Sequence, residues 1–349
     1  MDLSVCVPVY NNKDLFQYCL ESIGNASEGF ENRIEVVISD NASKDNILGY
    51  VERFKNNYPK IKIKFNRNER NKGLAFNFHK VVKMAEGEFC WIIGSDDFIL
   101  KNSISSILNI IDENPEIYFI SVGIAHLYLN KVYDDTNLDN PYHRIPKAIE
   151  DNTIINYKSI PRWSGKVDRW DKLVNPIYRN VMMGSMMTGI FRRTKWISVD
   201  IENMDMSNEF TNVENTYPHC VVYAQSMIGR PAYYFGETVI VVGEGAREWM
   251  GKSFWSGSLA LIYLKILNEI VDSYKVGGLN FSNIVKCRMY TAYTAGTVFI
   301  PFLFRRFILR RPIKNQESIG SIKVLKRFWY IPTFYIGVIR GVIRSLLGV

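Results

Sequence analysis

The first 125 residues alternate short β-branched runs with stretches of helical periodicity, and no other feature restricts the fold as strongly. Leu3 to Val9 is apolar, β-branched and stopped by Pro8 near its end, so it reads as a buried strand. Leu15, Phe16, Cys19, Leu20 and Ile23 then recur at three- and four-residue spacing, as on a helix with one buried face, with Asn11 or Asn12 as its cap. Ile34 to Ile38 is a second buried strand, followed by the polar turn Asp40-Asn41-Ala42-Ser43. Ser43 is placed to cap a helix whose buried face is Ile47, Leu48, Val51 and Phe54. Ile61 to Phe65 alternates apolar residues with lysine, as a strand with one wet face does. A polar loop leads to Gly73 and a helix with Leu74, Phe78, Val81, Val82 and Ala85 on one side; Phe89 to Ile93 is a fourth strand, apolar throughout. Strands and helices in this alternation predict an α/β fold with a parallel sheet covered on both faces.

Ligands of such sheets sit beyond the carboxyl ends of the strands. Those ends carry the unusual residues: Pro8-Val9-Tyr10-Asn11-Asn12 after strand one, Asp40-Asn41-Ala42-Ser43 after strand two, and Ser95-Asp96-Asp97 after strand four. Two adjacent carboxylates repel each other and are costly to desolvate, and a bound Mg²⁺ or Mn²⁺ relieves this while neutralising a diphosphate. The competing reading is a solvated turn with Asp97 capping the helix near Asn102. Asp40 either accepts hydrogen bonds from a base or ribose or closes an Asx turn.

Four segments in order carry a family resemblance. They are Ser4-Val5-Cys6-Val7-Pro8-Val9-Tyr10-Asn11, then Glu35 through Asp45, then Asn71-Lys72-Gly73-Leu74-Ala75-Phe76-Asn77, then Gly87 through Asp97. Together they resemble the ordered motifs of family 2 glycosyltransferases with the GT-A fold, over about the first 125 residues. The wording of Ser39 to Ser43 and Trp91 to Asp97 is similar to the abequosyltransferase-like subgroup, which builds O-antigen and related surface glycans. The resemblance implies a nucleotide-sugar donor, with Pro8, Tyr10 and Asp40 lining the nucleotide pocket and Asn71, Gly73 and Asn77 shaping the loop beside ribose and diphosphate. Val9, Asn11, Asn41, Ser43 and Ser95 belong to the same strand-end segments. Asp96 and Asp97 are the implied metal and ribose motif. Many relatives have Asp-x-Asp-Asp here, whereas this chain has Gly94 at the first position.

After a helix at Ser103 to Asp112 and a strand from Ile117 to Leu129, residues 130–180 are rich in Asp, Asn, Pro, Arg and Trp and suit acceptor-side loops. Order returns from Val181. Inverting members of the family use a second-half carboxylate as general base, often in a Glu-Asp or Asp-Asp pair. Glu214-Asn215 stands near that place with its second acid missing, so Glu214 is the first candidate, with Glu209, Asp205 and His219 behind it. His219 reads equally as a core imidazole. His79, His126 and His143 have no metal-ligand spacing and read as structural or exposed. Arg247 and Trp249 follow an apolar strand at Thr238 to Val242; a guanidinium suits a diphosphate leaving group and an indole a sugar face, against an ordinary loop with a packed Trp. The Gln-x-x-Arg-Trp motif of processive relatives is absent, which points to addition of a single residue.

The net charge of +8 is a property of the C-terminal end, where residues 281–349 hold 12 Lys and Arg against the single acid Glu317. These bases lie among Phe, Trp, Tyr, Ile and Leu, which favours an anionic membrane surface over nucleic acid. Neither Thr297 to Arg311 nor Phe328 to Val349 offers the uninterrupted apolar length of a spanning helix, so helices lying in the interface are expected, against a buried helix pair with snorkelling arginines. The N-terminus has no export signal and the five cysteines show no pairing pattern, which fits a reducing cytoplasm and a peripheral place at the inner face of the membrane.

The expected organisation is a nucleotide-sugar-binding half over residues 1–125, an acceptor-binding half over 126–255, and a helical, basic-amphipathic membrane-associating region over 256–349. The expected partners are a nucleotide sugar, a polyprenyl-diphosphate-linked glycan acceptor and an anionic membrane surface, without nucleic acid; the sequence leaves a homo-oligomer open. The rival functions are a catalytically inactive nucleotide- or glycan-binding scaffold and a nucleotidyltransferase. A nucleotidyltransferase usually has a Gly-rich, basic loop after strand one, where this chain has Pro8-Val9-Tyr10-Asn11.

Overall fold

A computed structural model describes residues 1–137, 139–151, 155–156, 165–176, 184–201, 204–206, 210–245, 259–311 and 321–347. Contact density divides the chain into two units: Met1–Leu173 with Ser185–Asn203 and Gly229–Ala246, and Val174–Gly184 with Met204–Ile228 and Arg247–Val349. This division differs from the expected boundaries at 125 and 255, because strands from the middle of the chain complete the sheet begun by the first 125 residues.

The sheet opens with the expected alternation: β1 (Leu3–Val9), α1 (Lys13–Ala26), β2 (Ile34–Asp40), α2 (Ile47–Asn57), β3 (Lys62–Arg67), α3 (Leu74–Met84) and β4 (Phe89–Ile92). It continues through β5 (Asp97–Ile99), α4 (Ser103–Glu113), β6 (Phe119–Tyr128), β7 (Ile155–Asn156), β8 (Lys166–Arg169), β9 (Gly189–Arg192) and β10 (Pro231–Glu244). Strand order is β3-β2-β1-β4-β9-β6-β10-β5, with β7 on β6 and β8 on β10. β1 runs parallel to β2 and β4, and β2 parallel to β3. The sheet is mixed rather than parallel throughout: β9 lies antiparallel between β4 and β6, and β5 antiparallel to β10.

Period-two alternation explains the continuous apolar runs. Leu3, Val5, Val7 and Val9 with Ile34, Val36 and Ile38 face one core, shared with Phe16, Leu20 and Ile23 of α1, Val51 and Phe54 of α2 and Ile104, Ile107 and Leu108 of α4. The intervening Cys6, Val37 and Cys90 are equally buried on the face where α3 packs against β1 and β2. Two local expectations change. Asn46, not Ser43, caps α2, its Oδ1 accepting from Gly49 N at 3.2 Å, and Leu48 points outward.

The second unit is helical. A helix over 259–276, with a π turn at Ile262–Ile266, is followed by Phe281–Leu303, Ser321–Phe328 and Pro332–Leu347. Phe281–Leu303 and Pro332–Leu347 meet backbone to backbone: a Cβ at Gly296 would lie 2.1 Å from Phe334 O, and one at Gly337 2.1 Å from Tyr293 O. Glycine is required at this crossing because any side chain would force the helices apart. Among the described residues no helix is long and apolar enough to cross a membrane. All five cysteines are buried, and none is joined in a disulfide.

Candidate active site

Register places the polar strand ends on one rim. Val9 pairs with Asp40 across β1–β2, Cys6 pairs with Ile92 across β1–β4, and all three strands run the same way, so the residues after each emerge at the same sheet edge. Hydrogen bonds then stitch the loops together. Asn11 N donates to Ser43 Oγ at 2.7 Å, Lys44 N to Asn11 Oδ1 at 2.9 Å, and Lys13 N to Asp45 Oδ2 at 3.0 Å. Asn11, Asn12 and Ala42 adopt left-handed backbone conformations, with φ of 57°, 68° and 62°. Asparagine tolerates this region, but for Ala42 it stores strain in the loop. Asn12 makes no side-chain cap to α1. Tyr10 stands on the rim 43% exposed, its ring free to meet a flat ligand.

Asp40 has no exposed surface, and both its oxygens are engaged. Oδ1 accepts from Ser43 N at 2.9 Å and from Ser43 Oγ, and Oδ2 pairs with the Arg67 guanidinium at 3.1 Å, which also donates to Ser43 O at 2.7 Å. In this conformation Asp40 closes an Asx turn and holds Arg67 at the rim. A network of asparagines supports the same edge. Asn41 Nδ2 donates to Asn71 Oδ1 at 2.7 Å and to Gly73 O at 3.2 Å, and Asn41 Oδ1 accepts from Asn68 Nδ2 and Lys72 N, each at 3.0 Å. Asn77, buried, donates to Ser39 O at 2.8 Å and accepts from Ser39 Oγ at 2.7 Å. Gly73, with φ of 87°, turns the chain into α3, and its N–H donates to Asn71 Oδ1 at 2.8 Å. Sequence reasoning missed Arg67 and Asn68; the one signal for them was their place at the carboxyl end of edge strand β3, where a polar loop begins.

The acidic pair converges on a glycine. A Cβ at Gly94 would lie 2.5 Å from Asp96 Oδ1 and 2.9 Å from Asp97 Oδ2, so both carboxylates reach over the space that a first-position aspartate would fill. Asp97 is 1% exposed and its Oδ2 accepts from Gly94 N at 2.7 Å, which makes it part of the turn rather than a cap for α4. Ser95 and Asp96 are half-buried beside it. Among the described residues no three His, Cys, Asp or Glu side chains converge as a metal cage. Two carboxylates with the remaining positions left to phosphate and water is how Mg²⁺ is commonly held at nucleotide sites, so the pair fits a divalent ion bound together with a diphosphate. The local field is visible at Cys19, which donates to Gly94 O: burial first, then the charges of Asp97 and Asp96, push its thiol well above the ordinary range. Gly243 brings β10 against this loop, its N–H donating to Asp96 O at 3.1 Å where a Cβ would meet that oxygen at 2.4 Å.

The second-half candidates lie in the other unit. Glu214, on the short helix Val213–Thr216, is half-buried, and its Oε2 accepts from Asp205 N at 2.7 Å. Asn212 and Asn215 form a reciprocal capping box there, and Val213 N donates to Glu269 Oε2 at 3.1 Å. Burial raises the Glu269 carboxyl above its usual range, partly offset by Lys265 and Arg327. His219 requires correction as a catalytic candidate: it is 2% exposed, edge-on to Tyr217 and Tyr223, with Nε2 3.2 Å from Gly184 O, and so acts as a core residue. Arg247, Trp249 and Glu209 lie outside the described residues.

Comparison with known proteins identifies the family and the fold. The family model "Glycosyl transferase family 2" matches residues 4–164. Abequosyltransferase RfbV of Salmonella typhimurium is 40% identical over 274 residues, 77% of this chain and 75% of that protein. A GalNAc(5)-diNAcBac-PP-undecaprenol β-1,3-glucosyltransferase of Campylobacter jejuni is 26% identical over 167 residues, 47% of this chain and 49% of that protein. The crystal structure of Staphylococcus aureus TarS 1–349 in complex with UDP-GlcNAc superposes with a TM-score of 0.60 at 16% identity, covering 100% of this chain and 92% of that one, which establishes the shared GT-A fold.

Proposed function

The chain belongs to glycosyltransferase family 2, and from that membership we propose that it moves one sugar from a nucleotide donor to a polyprenyl-diphosphate-linked glycan during synthesis of an O-antigen-type surface polysaccharide. The observation that carries this reading is the register of β1, β2 and β4, which gathers Tyr10, the Asp40 turn and the Asp96–Asp97 pair on one rim. Tyr10 and the Asp40–Arg67 turn take the nucleoside, Tyr10 by its exposed ring and the turn by its fixed polar groups. The Asn41–Asn71–Gly73–Asn77 network holds the loop beside ribose and diphosphate. Mg²⁺ or Mn²⁺ held by Asp96 and Asp97 would supply neutralising charge to the departing diphosphate. The acceptor hydroxyl oxygen forms a bond to the anomeric carbon as the bond from that carbon to the diphosphate breaks, with inversion; Glu214 takes the hydroxyl proton.

The lipid-linked acceptor is supported by the printed name of the Campylobacter relative and by the C-terminal surface. Trp329, Tyr330, Ile336, Ile339 and Ile343 are each at least half exposed, beside Arg340 and Arg344. Exposed aromatic and aliphatic groups with basic residues suit the surface of an anionic leaflet, which supports a peripheral position at the cytoplasmic face of the membrane. The test is sugar transfer to polyprenyl-diphosphate glycans from a panel of UDP-, GDP-, CDP- and dTDP-sugars. Asp97→Asn should lower transfer by at least about 100-fold while its melting temperature stays near wild type. Full activity in that variant would refute the assignment.

A further inference from the structure

We propose that the cleft between the ends of β6 and β10 binds a pyranose of the acceptor glycan, with Tyr128, Tyr133 and Tyr142 as aromatic walls and Glu244 as the polar anchor; this rests on the glycosyl-transfer reading of the acidic rim. The cleft has a volume of about 640 Å³, within the range of small-molecule sites, and Leu129, Asn130 and Gly245 complete its lining. Tyr128 is 42% and Tyr133 49% exposed. Two neighbouring aromatic rings of one cleft are thus open to a flat ligand. The rings are held in place: Tyr133 and Tyr142 pair edge to face at 5.4 Å, and Lys131 Nζ lies 5.1 Å over the Tyr128 ring.

Glu244 is positioned by two contacts. It is the ladder partner of Tyr128 across β10–β6, and its Oε1 lies 2.6 Å from His126 Nδ1. A sugar matches this combination. Its C–H face carries weak positive charge that suits the negative face of an aromatic ring, and its hydroxyls donate to a carboxylate and exchange hydrogen bonds with an amide such as Asn130. A wholly apolar ligand would make no use of the partly exposed Glu244 carboxylate, and an anion would be repelled by it.

Topology favours the acceptor over the donor as the source of that sugar. Val242 pairs with Asp97 across β10–β5, and Gly243 N bonds Asp96 O, so Glu244 follows directly on the residues that touch the acidic loop. The nucleoside end of the donor belongs to β1 and β2, on the opposite side of β4 in the strand order. The tyrosine cleft therefore adjoins the acidic loop on the β6–β10 side of the sheet, away from β1 and β2 that take the nucleoside, which suits a sugar of the acceptor.

The test is saturation-transfer NMR on the full chain with methyl glycosides of glucose, galactose, mannose, rhamnose and N-acetylglucosamine. At least one glycoside should receive saturation, strongest at its ring C–H protons. Tyr133→Ala and Glu244→Gln should lose that signal, and Tyr133→Phe should keep it. Thermal shifts of the same proteins with UDP, GDP, CDP and dTDP serve as the second arm and should be unchanged by the substitutions. Absence of transfer to every glycoside in wild type, or equal transfer in Tyr133→Ala, would overturn the cleft assignment. So would variants that lose affinity for nucleotide sugars but not for nucleoside diphosphates, because the cleft would then hold the donor sugar. A wild type that responds to no nucleotide would instead sink the glycosyl-transfer reading.

Discussion

Replacing Gly94 with alanine should separate function from stability. The added Cβ would stand 2.5 Å from Asp96 Oδ1 and 2.9 Å from Asp97 Oδ2, and ordinary contact begins at 3.4 Å, so the two oxygens must retreat by about 0.9 and 0.5 Å. These atoms are the ends of side chains, so the fold yields cheaply, at about 1 kcal/mol, the low end of overpacking costs. The same shifts fall on the groups assigned to the metal and diphosphate, where a misplacement near 1 Å costs on the order of 100-fold. The account predicts a variant with a urea midpoint close to wild type, Mn²⁺-dependent nucleoside diphosphate affinity at least about 10-fold weaker by calorimetry, and transfer reduced further. Wild-type affinity and turnover in Gly94→Ala would refute the reasoning, because the convergence of both carboxylates on that point would then have no functional meaning.

Three further outcomes follow from the same geometry. Asn77→Ala leaves Ser39 Oγ and Ser39 O without their bonds of 2.7 and 2.8 Å inside the protein, and should cost about 2–4 kcal/mol in urea unfolding while weakening nucleotide binding; a loss below about 0.5 kcal/mol would contradict it. Burial pushes the Cys220 and Cys287 thiols up to about 12 from 9.0. Because the folded values lie above the unfolded ones, their contribution is complete below pH 9 and is lost as pH rises through 12, so unfolding free energy should fall across that window; a flat profile from pH 9 to 11 would contradict the assignment. The double change Arg340→Gln and Arg344→Gln should lower flotation with anionic vesicles by roughly 30-fold, at about 1 kcal/mol per basic residue, and leave binding to neutral vesicles unaffected; equal flotation with both proteins would remove the membrane surface from this face.

β1, β2 and β4 were legible because each is buried on both faces and therefore mostly apolar, β3 because its lysines alternate with apolar residues, and β1 begins and ends where the sequence places it. The acidic pair was legible because charge at the end of such a strand has few other uses. Sheet pairing beyond β4 was not. β9 is four residues long, Gly189–Arg192, and nothing in those residues specifies an antiparallel seat between β4 and β6. The roles of Asn68 and Arg67 depend on partners up to 27 residues away, contacts that no local pattern encodes. For the same reason the sequence left His219 open between a site residue and a core imidazole; helix Pro218–Ser226 turns it into the interior. The tyrosine cleft escaped notice because Tyr128, Tyr133 and Tyr142 gain meaning only when β10 brings Glu244 beside them.

The central claim is that one rim of the sheet grips a nucleoside diphosphate. A crystal structure grown with Mn²⁺ and the nucleoside diphosphate giving the largest thermal shift tests it directly. The account predicts an anomalous peak at the Asp96 and Asp97 carboxylates, diphosphate oxygens on the same ion, and the base against Tyr10 beside the Asp40–Arg67 turn. A nucleotide bound elsewhere, or manganese away from that acidic pair, would contradict it.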